Sequence, residues 1–220
     1  MTHPADARRI VLEDVFRAGL RAAQGETLLT TYGRFDGRAF VYARGRRQVR
    51  FDLPRNGRVV VVGAGKAAAA LAAGLEAVLG DRIDLGRIVV KYGHGAPLRR
   101  IETFEAAHPV PDAAGEAATR RILDAVAGLG PDDRVFVLIT GGASALLVAP
   151  ADGITLADKQ ATTELLLRSG AAIGEINAIR RRLSQVKGGG LLRAIGRARS
   201  LTLMISDIPY PTAVGAVRIG

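Results

Sequence analysis

The apolar positions of the chain change period along its length. From Ala5 to Gln24, Leu12, Phe16, Leu20 and Ala23 fall on one stripe of a 3.6-residue repeat, which predicts an amphipathic helix. Two short β-type runs follow, Arg38–Tyr42 and Val49–Leu53. The basic turn Arg44-Gly45-Arg46-Arg47 joins them as a hairpin tip. After Pro54-Arg55-Asn56-Gly57 the pattern becomes an alternation of strands and helices. Strands are predicted at Arg58–Val62, Arg87–Lys91, Ile101–Ala106, Arg134–Thr140 and Leu201–Ile205. Helices are predicted at Ala67–Leu79, stopped by Gly80, and at Ala113–Ala127, Leu156–Arg168, Glu175–Ser184 and Gly190–Arg197. Such alternation implies an α/β fold. The expectation is a Rossmann-like, mostly parallel sheet with helices on both faces, preceded by an N-terminal helix and a short hairpin. Ligands of such sheets bind at the C-terminal strand ends.

Composition narrows the function classes. With 220 residues, 48% apolar and 24% charged, the chain suits one large globular domain or a domain plus an appendage. The absence of Cys removes a disulfide scaffold and any Cys-ligated metal site. The net charge of +10 raises nucleic acid as a partner, but the Arg residues are scattered and aromatics are only 5%, too few for base stacking. No nucleic-acid partner is expected. No apolar run approaches the ~20 residues of a membrane helix, so no membrane partner is expected. The N-terminus carries Asp6, Glu13 and Asp14 and has no uninterrupted apolar stretch, so a cytoplasmic location is expected. Oligomeric state stays open.

The chemistry is concentrated at predicted strand ends. Gly63-Ala64-Gly65-Lys66 follows the first strand of the alternating region, Gly93-His94-Gly95 the second, Gly141-Gly142-Ala143-Ser144 the fourth and Ser206-Asp207 the last. Glycines let backbone N–H groups approach a ligand, and loops entering helices favour anions. Together they point to one cleft for phosphate or carboxylate groups. Gly63, Gly65 and Ala68 make a Gly-x-Gly-x-x-Ala turn of the dinucleotide-binding kind. The acid expected near the end of the next strand is replaced by Lys91-Tyr92, which disfavours NAD and leaves NADP open. A tight strand–helix turn explains the glycines equally well, but not Lys66. A Walker A loop is excluded, because its first Gly would fall on Val60 and its Ser/Thr on Ala67. Lys66 can still act as a point charge on phosphate oxygens.

Other groups are more ambiguous. Thr140-Gly141-Gly142-Ala143-Ser144-Ala145 resembles a nucleophile elbow, but Leu146 replaces its last Gly, and an anion-binding loop fits better. His94 and His108 have no partners at metal-ligand spacing, and His108-Pro109 reads as a rigid turn. The basic segment from Asn177 through Arg180, Arg181 and Arg182 to Lys187 and three glycines is either a solvated face or one wall of the anionic cleft. Asp207 either binds Mg²⁺, accepts a hydroxyl proton or caps the next turn.

The stretches VVGAGKAAAALA, KYGHGAP, AAHPVPD, LITGGASALL, INAIRRRLSQVKGGGL and LTLMISDIP occur in one order. Together they resemble the glycerate 2-kinases of the MOFRL type, some of which carry the name hydroxypyruvate reductase. The resemblance covers about Ala5–Pro209. It implies phosphoryl transfer from ATP, with Mg²⁺, to the 2-hydroxyl of D-glycerate. It makes Lys66 the phosphate-stabilising lysine and Asp207 the catalytic carboxylate and candidate metal ligand. Gly63 and Gly65 become nucleotide-turn residues, and Gly141, Gly142 and Ser144 a phosphate or substrate loop. Asn177, Arg180 and Lys187 become further binding residues.

The chain departs from the family after Asp207. It reads Pro209-Tyr210-Pro211-Thr212 where the family has a Gly-Asp pair, and Arg182 replaces a common His. The expected organisation is an α/β kinase lobe over 1–208 and an atypical tail over 209–220, with the C-terminal MOFRL domain absent from this chain. Two alternatives stand beside the kinase: an NAD(P)-dependent hydroxypyruvate reductase and a non-catalytic remnant lobe.

Overall fold

The computed structural model describes residues 4–206. Its centre is a five-stranded, wholly parallel sheet built from β4 (Val59–Ala64), β5 (Leu85–Lys91), β6 (Ile101–Ala106), β7 (Arg134–Ile139) and β8 (Arg199–Met204). The strand order is β6-β5-β4-β7-β8. All of β4 is buried, which is why it reads as a continuous apolar run rather than an alternating one. The chain winds outward from β4 to β6 on one side, then returns to lay β7 against the other edge of β4. The sheet therefore reverses its winding between β4 and β7, the place where such sheets open a ligand crevice.

Helices cover both faces, as the alternation predicts. One face carries α3 (Ala68–Leu79), whose Leu71 and Leu75 pack with Val59, Val61 and Ile88. The other carries α4 (Ala113–Val126) and α8 (Gly190–Ile195), with Ile122, Val126 and Ile195 against Val60, Val62 and Val135. The remaining helices are α1 (Pro4–Ala23), α2 (Gly25–Tyr32), α5 (Ala143–Leu146), α6 (Leu156–Arg168) and α7 (Ile173–Arg182).

The expected hairpin is part of a three-stranded antiparallel sheet of β1 (Gly33–Phe35), β2 (Ala39–Arg44) and β3 (Arg47–Asp52). Phe40 and Phe51 pack edge-on against Phe136 of β7, with centroids 5.3 and 5.2 Å away, and so fasten this small sheet to the large one.

Two elements of this region carry no sequence signal. The α2 segment, GETLLTTY, opens on Gly and holds three Thr, so its intrinsic helix propensity is low. Packing forms it instead. A Cβ on Gly25 would stand 2.9 Å from Leu71 N, and one on Gly74 2.8 Å from Glu26 Cα, so α2 and α3 cross backbone to backbone through these two glycines. Strand β1 is three residues long and exists through pairing with β2. The α1 stripe forms as predicted but stays exposed, with Leu12 at 70% and Phe16 at 66% of full exposure.

Candidate functional site

The glycine loops meet where the winding reverses. Strand β4 extends two residues further than its apolar pattern suggests, so Gly63 lies within the strand rather than in the turn. A Cβ there would come 2.4 Å from Leu138 O; the missing side chain lets β7 approach β4. Gly65 makes the turn, at φ +135°. A Cβ at Gly65 would fall 2.1 Å from Thr140 Oγ1, so the loops after β4 and β7 are in direct contact. Hydrogen bonds fix them: Lys66 N donates to Gly141 O at 2.9 Å, Ala67 N to Thr140 Oγ1 at 3.1 Å, and Thr140 N to Ala64 O at 3.0 Å. The Lys66 side chain, half-buried, leaves from this seam at the N-terminal end of α3, whose dipole favours anions.

Two histidines join this seam. A Cβ on Gly142, which sits at φ +88°, would stand 3.0 Å from His108 Nε2 and 3.3 Å from Lys66 Cγ. Gly142 thus opens the space between the His108 ring and the Lys66 stem. His94 Nδ1 lies 3.2 Å from Lys66 O; a carbonyl only accepts, so this bond places the proton on Nδ1. His108 had only its place after a strand to mark it in the sequence, and the turn reading does not foresee its approach to Gly142. Thr140 carries no functional pattern of its own; its role as latch between the loops appears only in three dimensions.

The loop after β5 is held from β6. Glu105 accepts from Gly93 N at 3.2 Å and from Gly95 N at 3.1 Å. Tyr92 donates its hydroxyl to Asp112 at 2.8 Å, and Asp112 caps α4 by accepting from Gly115 N at 2.9 Å. Burial works against the Asp112 carboxylate, but the bonds from Gly115 and Tyr92 outweigh it and hold its pKa below the ordinary value.

The remaining sequence candidates are placed less centrally. Ser144 is exposed on α5. Asn177 and Arg180 are half-buried on α7. Lys187 reaches the far end of α5, donating Nζ to Leu147 O at 3.0 Å. Burial, with added repulsion from Lys159 and Arg180, lowers its pKa to about 7. Asp207 lies outside the described residues. Among the described residues no group of three or more His, Cys, Asp or Glu gathers to hold a metal ion. The described side chains therefore offer Mg²⁺ no cage. That ion commonly takes one or two carboxylates together with substrate phosphates. A hollow of about 450 Å³ beside Arg38, Asp52, Arg134 and Arg199 opens at the N-terminal ends of β7 and β8, away from the glycine loops. No helix among the described residues is long and apolar enough to cross a membrane.

The sequence matches, over residues 11–213, the family described as a domain of unknown function, DUF4147. A protein of Agrobacterium vitis carrying a hydroxypyruvate reductase name is 55% identical over 70% of this chain and 40% of its own length. The D-glycerate 2-kinase of Thermotoga maritima is 42% identical over 74% of this chain and 40% of its own length. Among solved structures, a Pyrococcus horikoshii protein superposes with a TM-score of 0.77 at 36% identity, covering 92% of this chain and 44% of that one. The Thermotoga maritima glycerate kinase superposes at 0.67 with 42% identity, covering 70% of this chain and 37% of that one. The chain thus spans about two fifths of the length of the curated relatives it matches.

Proposed function

The chain belongs to the DUF4147 family, and on that premise we propose that it is the N-terminal lobe, over 1–208, of an ATP-dependent D-glycerate 2-kinase. The observation that carries the reading is the seam between the loops after β4 and β7. There, Lys66 leaves a hydrogen-bonded turn at the winding reversal, and its stem and the His108 ring both border Gly142.

Phosphoryl transfer asks a protein chiefly for positioning and for neutralisation of phosphate charge. In this reading the Lys66 ammonium sets its charge against the transferring phosphoryl group. Gly65, Gly141 and Gly142 present a surface without side chains to the phosphates, and Ser144 adds a hydroxyl donor. Gly63 serves the site indirectly, by setting the spacing of β4 and β7. Asn177 and Arg180 of α7, and Lys187 beside the end of α5, contribute further polar groups. The 2-hydroxyl oxygen of D-glycerate attacks the γ-phosphorus of ATP. One P–O bond forms to that oxygen as the bond to the β-phosphate oxygen breaks. The hydroxyl proton passes to Asp207, leaving 2-phosphoglycerate and ADP. Mg²⁺, when bound with the nucleotide, would supply further charge neutralisation on the phosphates, with Asp207 as its protein ligand.

The test is titration of the purified chain with MgADP and then D-glycerate, on wild type and Lys66→Met. Saturable MgADP binding that weakens about tenfold or more in Lys66→Met supports the reading. Equal binding by both proteins overturns the role of Lys66. Consumption of NADPH with hydroxypyruvate, without nucleotide phosphate binding, would replace the kinase by a reductase. A folded chain that binds none of these is a non-catalytic lobe.

A further inference from the structure

At the end of the large sheet opposite the glycine loops, the hollow of about 450 Å³ is framed by four guanidinium groups. Arg134 opens β7 and Arg199 opens β8, and the strand register sets the two opposite each other. Arg38 precedes β2, and Arg55 lies in the turn after β3. Backbone contacts join these segments. Leu53 N donates to Arg38 O at 2.9 Å. A Cβ on Gly57 would stand 2.2 Å from Asp132 O, so the turn 54–57 rests directly on the loop before β7. Asp133 fastens the two, accepting from Arg58 N at 2.7 Å.

The charges around the hollow do not balance. Arg134 is half-buried and spends Nε on Asp52 O at 3.0 Å, and Nη1 on Pro131 O and Asp133 O at 3.0 and 2.9 Å. Its Nη2 makes no hydrogen bond to the described residues. Arg38, Arg55 and Arg199 make neither a side-chain hydrogen bond nor an ion pair with the described residues. Against these four cations the rim sets Asp52 and Asp132, and Asp52 already pairs with Arg50 at 3.1 Å. Burial, and next the Arg199 charge, push the Arg134 pKa below its ordinary value despite the nearby carboxylates. Strand pairing gives no reason to set a second Arg opposite a half-buried one, because like charges so placed repel. Planar guanidiniums with free donors are the complement of phosphate oxygens.

We propose that this hollow is a second anion site, which takes a small molecule bearing two linked phosphoryl groups through Arg38, Arg55, Arg134 and Arg199. Its volume is more than one phosphate group needs and lies in the range of small-ligand pockets. The site stands apart from the Lys66 seam and does not depend on the kinase reading. The ligand bridges Arg38 and Arg55, which flank strands of the small sheet, and Arg134 and Arg199 of the large one. Occupancy therefore holds the two sheets together.

The probe is inorganic pyrophosphate, titrated calorimetrically into the full chain carrying Lys66→Met, which removes the ammonium of the glycine-loop seam. The expected result is saturable one-to-one binding. Arg199→Gln or Arg55→Gln, added to that background, weakens it about tenfold or more. Arg46→Gln, on the exposed turn between β2 and β3, removes the same charge elsewhere and leaves binding unchanged. Arg199→Gln does not lower the melting temperature of the ligand-free chain, because it relieves the repulsion of Arg134. Metal-free ADP separates two sources of the same chemistry: binding equal to that of pyrophosphate makes the ligand a nucleotide, and binding of pyrophosphate alone makes it a diphosphate without a base.

Absence of pyrophosphate binding in the Lys66→Met chain overturns the site. So does binding that Arg46→Gln weakens as much as Arg199→Gln does, which is charge attraction without a pocket. A ligand-free Arg199→Gln chain that melts below its parent overturns the charge imbalance on which the site rests.

Discussion

Lys187 offers a perturbation whose size follows from its surroundings. Burial and the nearby cations lower its pKa from 10.5 to about 7. In the unfolded chain the side chain keeps its proton up to the ordinary value; in the folded chain it releases it near neutrality. Between these values the unfolded state binds more protons, so stability rises with pH. Below pH 7 both states are protonated and the cost of the buried charge is fully expressed. The drop in pKa corresponds to roughly 5 kcal/mol. Solvent at the half-buried side chain reduces this to about 3 kcal/mol. The assay is urea denaturation followed by circular dichroism from pH 6.5 to 10, on wild type and Lys187→Met. Taking the difference between the two proteins cancels every group they share. The wild type should gain about 3 kcal/mol relative to the variant across this range. A difference that stays flat within about 0.5 kcal/mol would refute the desolvation of Lys187 and its neighbourhood of cations.

Three further outcomes follow from local geometry. Gly65→Ala forces a side chain into a left-handed backbone and onto Thr140 Oγ1, so it should lower stability by about 2 to 4 kcal/mol in thermal unfolding. Thr140→Val keeps the shape but leaves Ala67 N without its acceptor, costing about 1 to 2 kcal/mol by the same assay. Asp133 accepts from Arg58 N at 2.7 Å and from Gly130 N at 2.8 Å; burial opposes its charge, but these bonds prevail and lower its pKa. Its contribution is therefore present above the unfolded carboxylate range and is lost as pH falls through the folded value. Asp133→Ala should cost about 2 kcal/mol at pH 7 and progressively less in acid, as measured by urea denaturation at pH 7 and pH 3.

The parallel sheet was legible because β4, β5 and β7 are buried on both faces and so read as apolar runs bounded by Gly and Pro. The order of strands, and hence the meeting of the loops after β4 and β7, was not written in any local pattern. Yet the two loops that meet there are the ones marked by Gly-x-Gly-Lys and Gly-Gly-x-Ser. Helix α2 was hidden because its stability comes from a glycine-to-glycine crossing with α3 rather than from propensity. In the sequence Gly63 shares a turn motif with Gly65; only the register of β4 with β7, Gly63 opposite Leu138, shows it to be a strand position. The pairing of Arg134 with Arg199 is hidden among scattered Arg residues and appears only in the register of β7 with β8. Asp207, the carboxylate that the resemblance marks, lies outside the described residues, so its role rests on the sequence motif.

The most direct test of the central claim is phosphoryl transfer itself. The purified chain is incubated with ATP, Mg²⁺ and D-glycerate, alone and together with the C-terminal half of a longer relative. ³¹P NMR follows the products. The chain should bind MgADP, and 2-phosphoglycerate should appear with ADP when the lobe is complemented, and not when Lys66 is replaced by Met. Transfer unaffected by Lys66→Met, or a folded chain that binds no nucleotide and yields no phosphorylated glycerate under either condition, would contradict it.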